Sequence, residues 1–370
     1  MQSLNSKISK KRCNFAPKLK KMTTLYIFNP EHDLALASNL KNFTSPHAGR
    51  KLRADLGFLP ALWAGEDDLI LVDNVDQAVK AYGRLRAKTG NGPRHFIDKN
   101  QLAHNNINKV EPWGWDPALQ SFLLRYGVEN VPSEETIAVI RNLSHRKQAV
   151  SLLRELQMSG TTGYSLCVNN LDEVFNMLSE YGCIVVKAPW SSSGRGVRFI
   201  DGEINDSQQR WVQNIIEKQG SVVLETYYHK VKDFGMEFES DGKGQIKYLG
   251  LSLFHTKNGA YTGNLIASEE EKEKILSNYI SVDILRNVRE MICNILGALY
   301  ADKYQGPFGI DMMVVATDKK DGFLLHPCVE INLRRTMGHV ALSIPPFADG
   351  YARVMQIILT DKYRIRVRKP

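Results

Sequence analysis

The chain has 370 residues, of which 43% are hydrophobic and 24% are charged, an ordinary globular composition with enough length for two or three domains. The formal net charge is +8, but residues 1–21 hold seven lysines and arginines and no acidic residue, so the remaining chain carries a net charge of only +1. That near-neutral body lacks the basic stripe with interleaved aromatic residues that is typical of nucleic-acid-binding domains, and it has no run of 18 apolar residues that could span a membrane.

Residues 1–21 differ in composition from the rest of the chain. They lack the apolar run of a secretory signal, and Met22 stands directly before the first convincing strand. We expect either that this segment is a disordered basic tail or that Met22 is the true start. The alternative is a basic arm for RNA or for an anionic membrane, in which case deletion of the segment would abolish binding and salt would weaken it steeply.

The cysteines predict a reducing environment. Their number is odd and no two of them form a CxxC pair, so the pattern favours free thiols in the cytoplasm over a disulfide framework or a zinc site. The five are Cys13, Cys167, Cys183, Cys293 and Cys328.

Strands and helices alternate in residues 22–132, which predicts a parallel sheet with helices on its faces. The predicted strands are residues 24–28, 69–72 and 95–97, and the predicted helices are residues 75–86 and 116–126.

The first of these strands ends at a polar cluster, Asn29-Pro30-Glu31-His32-Asp33. Ligands bind beyond the carboxyl ends of strands in such sheets, so Asn29, Glu31 and His32 are candidate substrate contacts. A turn followed by a helix cap explains the same residues equally well.

A second unit begins near Ser133, which can cap a helix over residues 134–142. Amphipathic helices are predicted over residues 146–156 and from Leu171 onward, the latter capped by Asn170 and ended by Gly182.

The strand over residues 183–187 ends in Lys187 and runs into the Ser- and Gly-rich loop of residues 188–197. Backbone N–H groups of such a loop can approach phosphate oxygens without obstruction, and Lys187 can add a positive charge. A plain hairpin connection is the alternative.

The last part of the chain is predicted as a mixture of strands and helices. The strands are residues 221–225 and 248–254, a polar loop covers residues 256–264, and a long helix covers residues 283–300. A closing helix is predicted within residues 346–359, through Tyr351, Val354 and Ile358.

Residues 308–314 and 325–331 alternate between apolar and polar side chains and predict a hairpin. If the two strands pair, Asp311, Glu330 and Asn332 converge, and two carboxylates with one amide oxygen suit Mg²⁺. Arg334 and Arg335 follow at once, and a cation beside guanidinium groups suits phosphate chemistry. The alternative is an acidic sheet face that merely contacts water.

The joint order of these segments resembles the ATP-grasp superfamily. The matching motifs are VVK with SSSGRGV, VVLETYY, GMEF, FGIDMMV and VEINLRR. The resemblance implies an α/β and α+β protein in which an N-terminal pre-ATP-grasp α/β domain precedes a two-lobed ATP-grasp fold. The implied domains are residues 22–132, a small lobe with a Gly-rich lid at 133–225, and a large lobe with a Mg²⁺ site at 226–370.

The same resemblance implies a role for each matching residue. Lys187 would bind the ATP phosphates under Ser193, Gly194 and Gly196, and Arg146 or Lys147 would add a further phosphate contact, with Arg146 favoured. The adenine amino group would reach Glu225, the backbone of Thr226, Tyr227 and Tyr228 would complete the adenine contacts, and Glu237 would bind the ribose. One or two Mg²⁺ ions, with Mn²⁺ as the alternative, would be held by Asp311, Glu330 and Asn332, and the catalytic arginines would be Arg334 and Arg335.

The implied activity is ATP-dependent ligation of a small-molecule or peptide-like carboxylate to an amine through an acyl phosphate. A small-molecule kinase and a non-catalytic nucleotide-binding protein are the alternatives. Nothing in the sequence identifies the acid or the amine, and both a monomer and a homodimer remain open. Tyr261, Asn264 and His339 are further candidate contacts, although we favour a structural role for each.

Overall fold

The computed structural model describes residues 22–191, 196–257, 260–319, 322–347 and 349–369. The predictions for residues 1–21, Ser193 and Gly194 lie outside these ranges. The described residues form four four-stranded sheets with helices packed against them.

The N-terminal sheet is parallel, as predicted, in the order β3-β2-β1-β4. Its strands are β1 (Thr24–Ile27), β2 (Leu69–Leu71), β3 (His95–Ile97) and β4 (Lys109–Pro112). The helices around it are α1 (His32–Ser38), α2 (His47–Leu56), α3 (Val75–Thr89) and α4 (Pro117–Arg125). Asn74 and Asp116 cap α3 and α4 because their side chains accept hydrogen bonds from first-turn N–H groups.

The second sheet is antiparallel and has the order β5-β8-β6-β7. Its elements are α5 (Glu134–Leu143), α6 (Lys147–Glu155), β5 (Ser165–Val168), α7 (Leu171–Tyr181), β6 (Cys183–Lys187), β7 (Val197–Asp201), α8 (Asp206–Gln219) and β8 (Val222–Thr226). Helices α7 and α8 cover one face through a core that includes Ile184, Val186 and Ile200. Alternation along the strands leaves Lys187 and Phe199 on the opposite face.

The third sheet is antiparallel in the order β10-β9-β13-β14 and contains the predicted hairpin. Its strands are β9 (Lys230–Asp241), β10 (Ile246–Ser252), β13 (Gln305–Ala316) and β14 (Phe323–Asn332), and its helices are α9 (Glu269–Leu276) and α10 (Val282–Tyr300). Phe238 and Phe308 stack with ring centroids 5.2 Å apart in the core beneath α10. Because side chains alternate, this packing turns Glu237 and Asp311 to the other face.

The fourth sheet contradicts two predictions. It consists of β11 (Phe254–Lys257), β12 (Ala260–Ile266), β15 (Arg353–Leu359) and β16 (Tyr363–Arg368), so the loop predicted for 256–264 is a hairpin. The helix predicted within 346–359 is wrong because β15 lies there instead. Met355 and Ile357 point into one core with period two, and β12 and β16 pair with β15 on either side.

The N-terminal sheet and the fourth sheet share a core. Phe28 and Trp113 belong to the same buried cluster as Ile266, Met355 and Val340, the last from α11 (Met337–Leu342). This packing places the carboxyl ends of β1 and β4 beside the end of β14. The predicted domain boundaries at 132/133 and 225/226 stay predictions.

Two further expectations concern the described residues as a whole. The four cysteines among them, Cys167, Cys183, Cys293 and Cys328, are free thiols. Within the same ranges, no helix combines the length and apolar character that a membrane crossing requires.

Candidate active site

The acidic cluster lies on the hairpin formed by β13 and β14. Asp311 lies directly opposite Glu330, and Gly309 lies opposite Asn332 in the same register. The Asn332 amide lies close enough to Asp311 to lower the pKa of its carboxyl group. The structure therefore brings together the three side chains that the sequence predicts as metal ligands.

The electrostatics of this cluster favour a cation. Burial raises the pKa of Asp311, and the Glu330 and Glu237 carboxylates raise it further. The Asn332 amide and the Arg334 guanidinium oppose these effects in part, and the resulting pKa is about 7. A divalent cation would neutralise the gathered negative charge.

The donor set fits Mg²⁺, because two carboxylates and one amide oxygen are hard ligands. Across the described ranges, no group of three or more His, Cys, Asp or Glu side chains is arranged to hold a metal ion. Asp311 and Glu330 would therefore hold the ion together with Asn332, and water or phosphate oxygens would complete its coordination, as is common for Mg²⁺.

Arg146 connects the acidic cluster to the start of the Gly-rich loop. Its Nη2 lies 2.6 Å from Glu330 Oε1, and its Nη1 donates to Ser191 Oγ at 2.7 Å and to the carbonyl oxygen of Ala188. Arg146 is 8% exposed, whereas the neighbouring Lys147 is exposed. The geometry favours Arg146 over Lys147 as the phosphate contact.

If Arg146 is the predicted phosphate contact, Arg146→Ala should lower the rate of Mg²⁺-dependent ATP turnover by about 100-fold, because the variant loses a positioned cation. The matched variant Lys147→Ala removes a charge from the adjacent position and should change the rate by less than about twofold. Steady-state ADP release from both variants measures the difference. Equal losses in the two variants would contradict the assignment.

Lys187 is held by the residue that is predicted to bind adenine. Its Nζ lies 2.5 Å from Glu225 Oε2, both side chains are more than nine-tenths buried, and Nζ also donates to Val329 O at 3.4 Å. Burial would raise the pKa of Glu225, but the Lys187 ammonium and the His326 ring lower it to about 2. The predicted adenine contact of Glu225 stays a prediction, since its carboxylate already has a partner.

The segment after β8 presents aromatic side chains. Thr226 is buried, Tyr228 packs edge-on against His326 at 5.5 Å, and Tyr227 packs against Phe199 at 6.1 Å. Phe199 is 61% exposed on the Lys187 face of its sheet and offers a planar base a surface for stacking. The sequence analysis missed Phe199, although it follows from the alternation that turns Ile200 into the core.

Gly196 closes the described part of the Gly-rich loop. Its carbonyl oxygen accepts a hydrogen bond from Ala188 N at 2.7 Å, and a Cβ atom at Gly196 would lie 2.2 Å from Ser191 Cβ. Only glycine fits this approach, which brings the end of the loop back to the end of β6.

Glu237 lies beneath α11 and is 3% exposed. Its Oε2 lies 2.9 Å from His339 Nδ1, and a Cβ at Gly309 or Gly338 would come within 2.5 or 1.9 Å of its carboxylate oxygens. The contact of Glu237 with a ribose therefore stays a prediction.

Among the further candidate contacts, Asn264 is fully buried and forms hydrogen bonds with Ser252 and Tyr261.

The two predicted catalytic arginines point to the N-terminal unit. Arg334 forms a bidentate ion pair with Asp33 at 2.8–3.0 Å. Arg335 stacks over the ring of Trp63 at 4.7 Å and lies 3.5 Å from Glu111 Oε2. Arg334 also neighbours the acidic cluster, whereas Arg335 joins the two units.

The predicted substrate contacts Asn29, Glu31 and His32 are each less than 10% exposed. Asn29 Nδ2 donates to Gly114 O, Glu31 pairs with Arg53, and the ring of His32 lies against Gly114. These side chains hold the turn after β1 and the start of α1 in place. Asp33, in the first turn of α1, faces the site and was not among the predicted substrate contacts.

A separate cavity of about 840 Å³ lies between β4 and the start of β13, with Glu111, Trp113, Glu239 and Tyr304 in its walls. Among the residues that the structure describes, none of the predicted site residues lines this cavity. We place the candidate site at the acidic cluster because the carboxylates, the Arg146 guanidinium group and Ser191, at the start of the Gly-rich loop, converge there.

No protein-family model matches the chain, and no curated protein matches its sequence significantly. Among solved structures, it is similar to the N5-carboxyaminoimidazole synthetase of Staphylococcus aureus complexed with ADP, with 15% identity, a TM-score of 0.50, and coverage of 92% of this chain and 84% of that chain. It is also similar to the biotin carboxylase of Campylobacter jejuni in a β-γ-ATP complex, with 14% identity, a TM-score of 0.51, and coverage of 91% and 76%. At this level of sequence identity, the structural similarity establishes the fold only. Both neighbours are ATP-grasp proteins. The chain therefore has the ATP-grasp fold that its motifs predict.

Proposed function

We propose that this chain is an ATP-dependent, Mg²⁺-requiring ligase that joins a carboxylate to an amine through an acyl phosphate. The observation that carries the proposal is the convergence of Asp311, Glu330 and Asn332 with Arg146 and Arg334. The two structural neighbours, each named for its complex with ADP or β-γ-ATP, support an adenine nucleotide as one substrate.

In the proposed reaction, a carboxylate oxygen attacks the γ-phosphorus of ATP and ADP leaves. The amine nitrogen then attacks the acyl carbon, phosphate leaves, and the nitrogen loses a proton. Bound Mg²⁺ supplies charge that neutralises the phosphate oxygens.

The side chains of this chain supply position and charge. Asp311, Glu330 and Asn332 would hold the cation, and Lys187 at the end of β6 and Arg146 at the start of α6 would face the phosphates. Phosphoryl transfer gains most from such fixed positive charge, because its loose transition state spreads negative charge over the equatorial oxygens. The arrangement suits phosphoryl transfer to an oxygen nucleophile.

The experiment is an ADP-release assay on the full chain with ATP and Mg²⁺, screened against panels of carboxylates and amines. We expect a carboxylate and amine pair that raises ADP and phosphate release together and yields an amide. A stable phosphorylated product without any amine would instead establish the kinase alternative. Absence of nucleotide binding, measured by calorimetry, would overturn both.

We expect Glu330→Gln to lower this turnover by about 100-fold, because the amide keeps the size of the side chain but removes one ligand charge and the ion pair with Arg146. Glu239→Gln is the matched control, since Glu239 lies on the same sheet outside the cluster. Circular dichroism should show both variants folded. Unchanged turnover in Glu330→Gln would refute the metal assignment.

A further inference from the structure

The ion pair between Asp33 and Arg334 joins residues 301 positions apart. Nε of Arg334 lies 3.0 Å from both carboxylate oxygens of Asp33, and Nη2 lies 2.8 Å from Oδ2. The two side chains are only 18% and 19% exposed. A bidentate pair with this little solvent contact fixes the plane of the guanidinium group.

Asp33 lies in the first turn of α1, and the segment that leads into this helix is tightly packed. Asn29 bonds the Gly114 carbonyl oxygen at 2.8 Å and Asp116 Oδ2 at 3.1 Å, and His32 is 1% exposed. A Cβ atom at Gly114 would lie 2.7 Å from the His32 ring, so the two segments are in close contact. The backbone that carries Asp33 is therefore fixed by these packed neighbours.

The fixed guanidinium group of Arg334 also contacts the acidic cluster. Nη2 of Arg334 also donates to Asn332 Oδ1 at 3.0 Å, and Nη1 donates to the carbonyl oxygen of Arg335. Asn332 lies on the same face of the hairpin as Glu330, which pairs directly with Asp311. Hydrogen bonds thus run from Asp33 through Arg334 to Asn332, which is one of the three predicted metal ligands.

We propose that Asp33 is a positioning residue, which orients Arg334 and through it the Asn332 amide, so that the N-terminal unit completes the phosphoryl-transfer site. This inference rests on the proposed function for its kinetic consequence. Without Asp33, Arg334 keeps its charge but loses three of the hydrogen bonds that set the direction of its guanidinium group. A misplaced Arg334 guanidinium group should then lower the rate of phosphoryl transfer more than it weakens the binding of the nucleotide.

The kinetic test compares single and double variants in the ADP-release assay. We expect Asp33→Asn to lower kcat by about 30-fold while KM for ATP changes by less than about threefold, and Asp33→Glu to recover part of the loss. Because the two residues act as a unit, Asp33→Asn should add nothing in an Arg334→Lys background. Asp73→Asn is the control, since Asp73 follows β2 at the same sheet edge, is 50% exposed and should leave kcat unchanged. Additive losses in the double variant would overturn the proposal.

A second measurement is independent of any substrate. Hydrogen exchange of residues 329–336 should speed up by about tenfold in Asp33→Asn and in Arg334→Lys, and remain unchanged in Asp73→Asn. If no carboxylate and amine pair supports turnover, the proposed ligase function fails while the exchange result still tests the link from Asp33 to Asn332. Unchanged exchange in Asp33→Asn would overturn the link itself.

Discussion

Replacement of Asp311 by asparagine should abolish detectable Mg²⁺-dependent turnover and at the same time stabilise the metal-free protein. The carboxylate lies beside Glu330 and near Glu237, and burial with these neighbours raises its pKa to about 7. Above that pH the folded protein must carry an ionised group that the unfolded chain carries at no cost. Asparagine removes this penalty together with the metal ligand.

The sign of the pH dependence follows from the two pKa values of Asp311. The folded value is about 7, whereas an unfolded aspartate titrates near its ordinary value of 3.8. The folded state therefore binds the proton more tightly, and its relative stability falls as pH rises toward 7. Asp311→Asn should raise the free energy of unfolding by about 1–2 kcal/mol at pH 8.5 and change it little at pH 4.

Urea unfolding at the two pH values, with and without Mg²⁺, measures both halves of this prediction. Wild-type protein should gain stability from Mg²⁺ at pH 8.5 because the ion replaces the missing countercharge, and the variant should not. A variant that is less stable than wild type at pH 8.5 without metal would show that Asp311 is not under electrostatic strain. Glu239→Gln serves again as the control for a carboxylate outside the cluster.

The hairpin that carries the acidic cluster could be predicted from the sequence because its signal is local. Residues 308–314 alternate with period two, and the polar turn after Ala316 ends the strand, so pairing with β14 follows. The register that sets Asp311 opposite Glu330 also depends on a shift in the pairing between Asp311 and Met313, since Met313 lies opposite His326. The alternation does not predict this shift, although it predicts the hairpin itself from a local signal. Helix caps such as Ser133 and Asn170 were predictable for the same reason.

The fourth sheet was not predictable because its pairing is not local. Tyr351, Val354 and Ile358 have the spacing of a helix face. In the structure, however, Val354 and Ile358 lie in β15, which pairs with β12 on one side and with β16 on the other. Tertiary pairing overrides a weak periodic signal in such β-branched segments. The same error turned the hairpin of β11 and β12 into a predicted loop.

The side-chain partners of the predicted site residues could not be predicted from the sequence either. The motif around β6 predicts a free ammonium group at Lys187 for phosphate, yet in the structure it pairs with Glu225, which lies on the neighbouring strand β8. Asp33 was visible only as one member of a polar loop, because its contact with Arg334 spans most of the chain. Residue type indicates the chemistry of a side chain, whereas its partner depends on the tertiary fold.

The pair of Lys187 and Glu225 leads to the second large effect. Each side chain is less than 10% exposed, and the charged atoms lie 2.5 Å apart. Removal of one member leaves the other charge buried without its partner, so Lys187→Met and Glu225→Gln should each lower the free energy of unfolding by about 3–5 kcal/mol. The double variant removes both charges and should recover most of this loss.

The acid side of the stability profile provides a check on the pair. The pKa of Glu225 is held at about 2, below its ordinary value of 4.5, chiefly by Lys187 against the effect of burial. The stability that this pair contributes is present above pH 4.5 and is lost as pH falls toward 2, because the unfolded chain then binds the proton more tightly. The double variant should lack this component of acid unfolding.

Stability and nucleotide binding should separate in the double variant. If Lys187 contacts the ATP phosphates, Lys187→Met with Glu225→Gln should restore the urea midpoint but not the binding of ATP with Mg²⁺, which calorimetry measures directly. Lys147→Ala, which removes an exposed lysine, should bind as wild type does. Full ATP binding by the double variant would mean that Lys187 has a structural role only. The phosphate contact would then have to come from Arg146, which the Arg146→Ala variant tests.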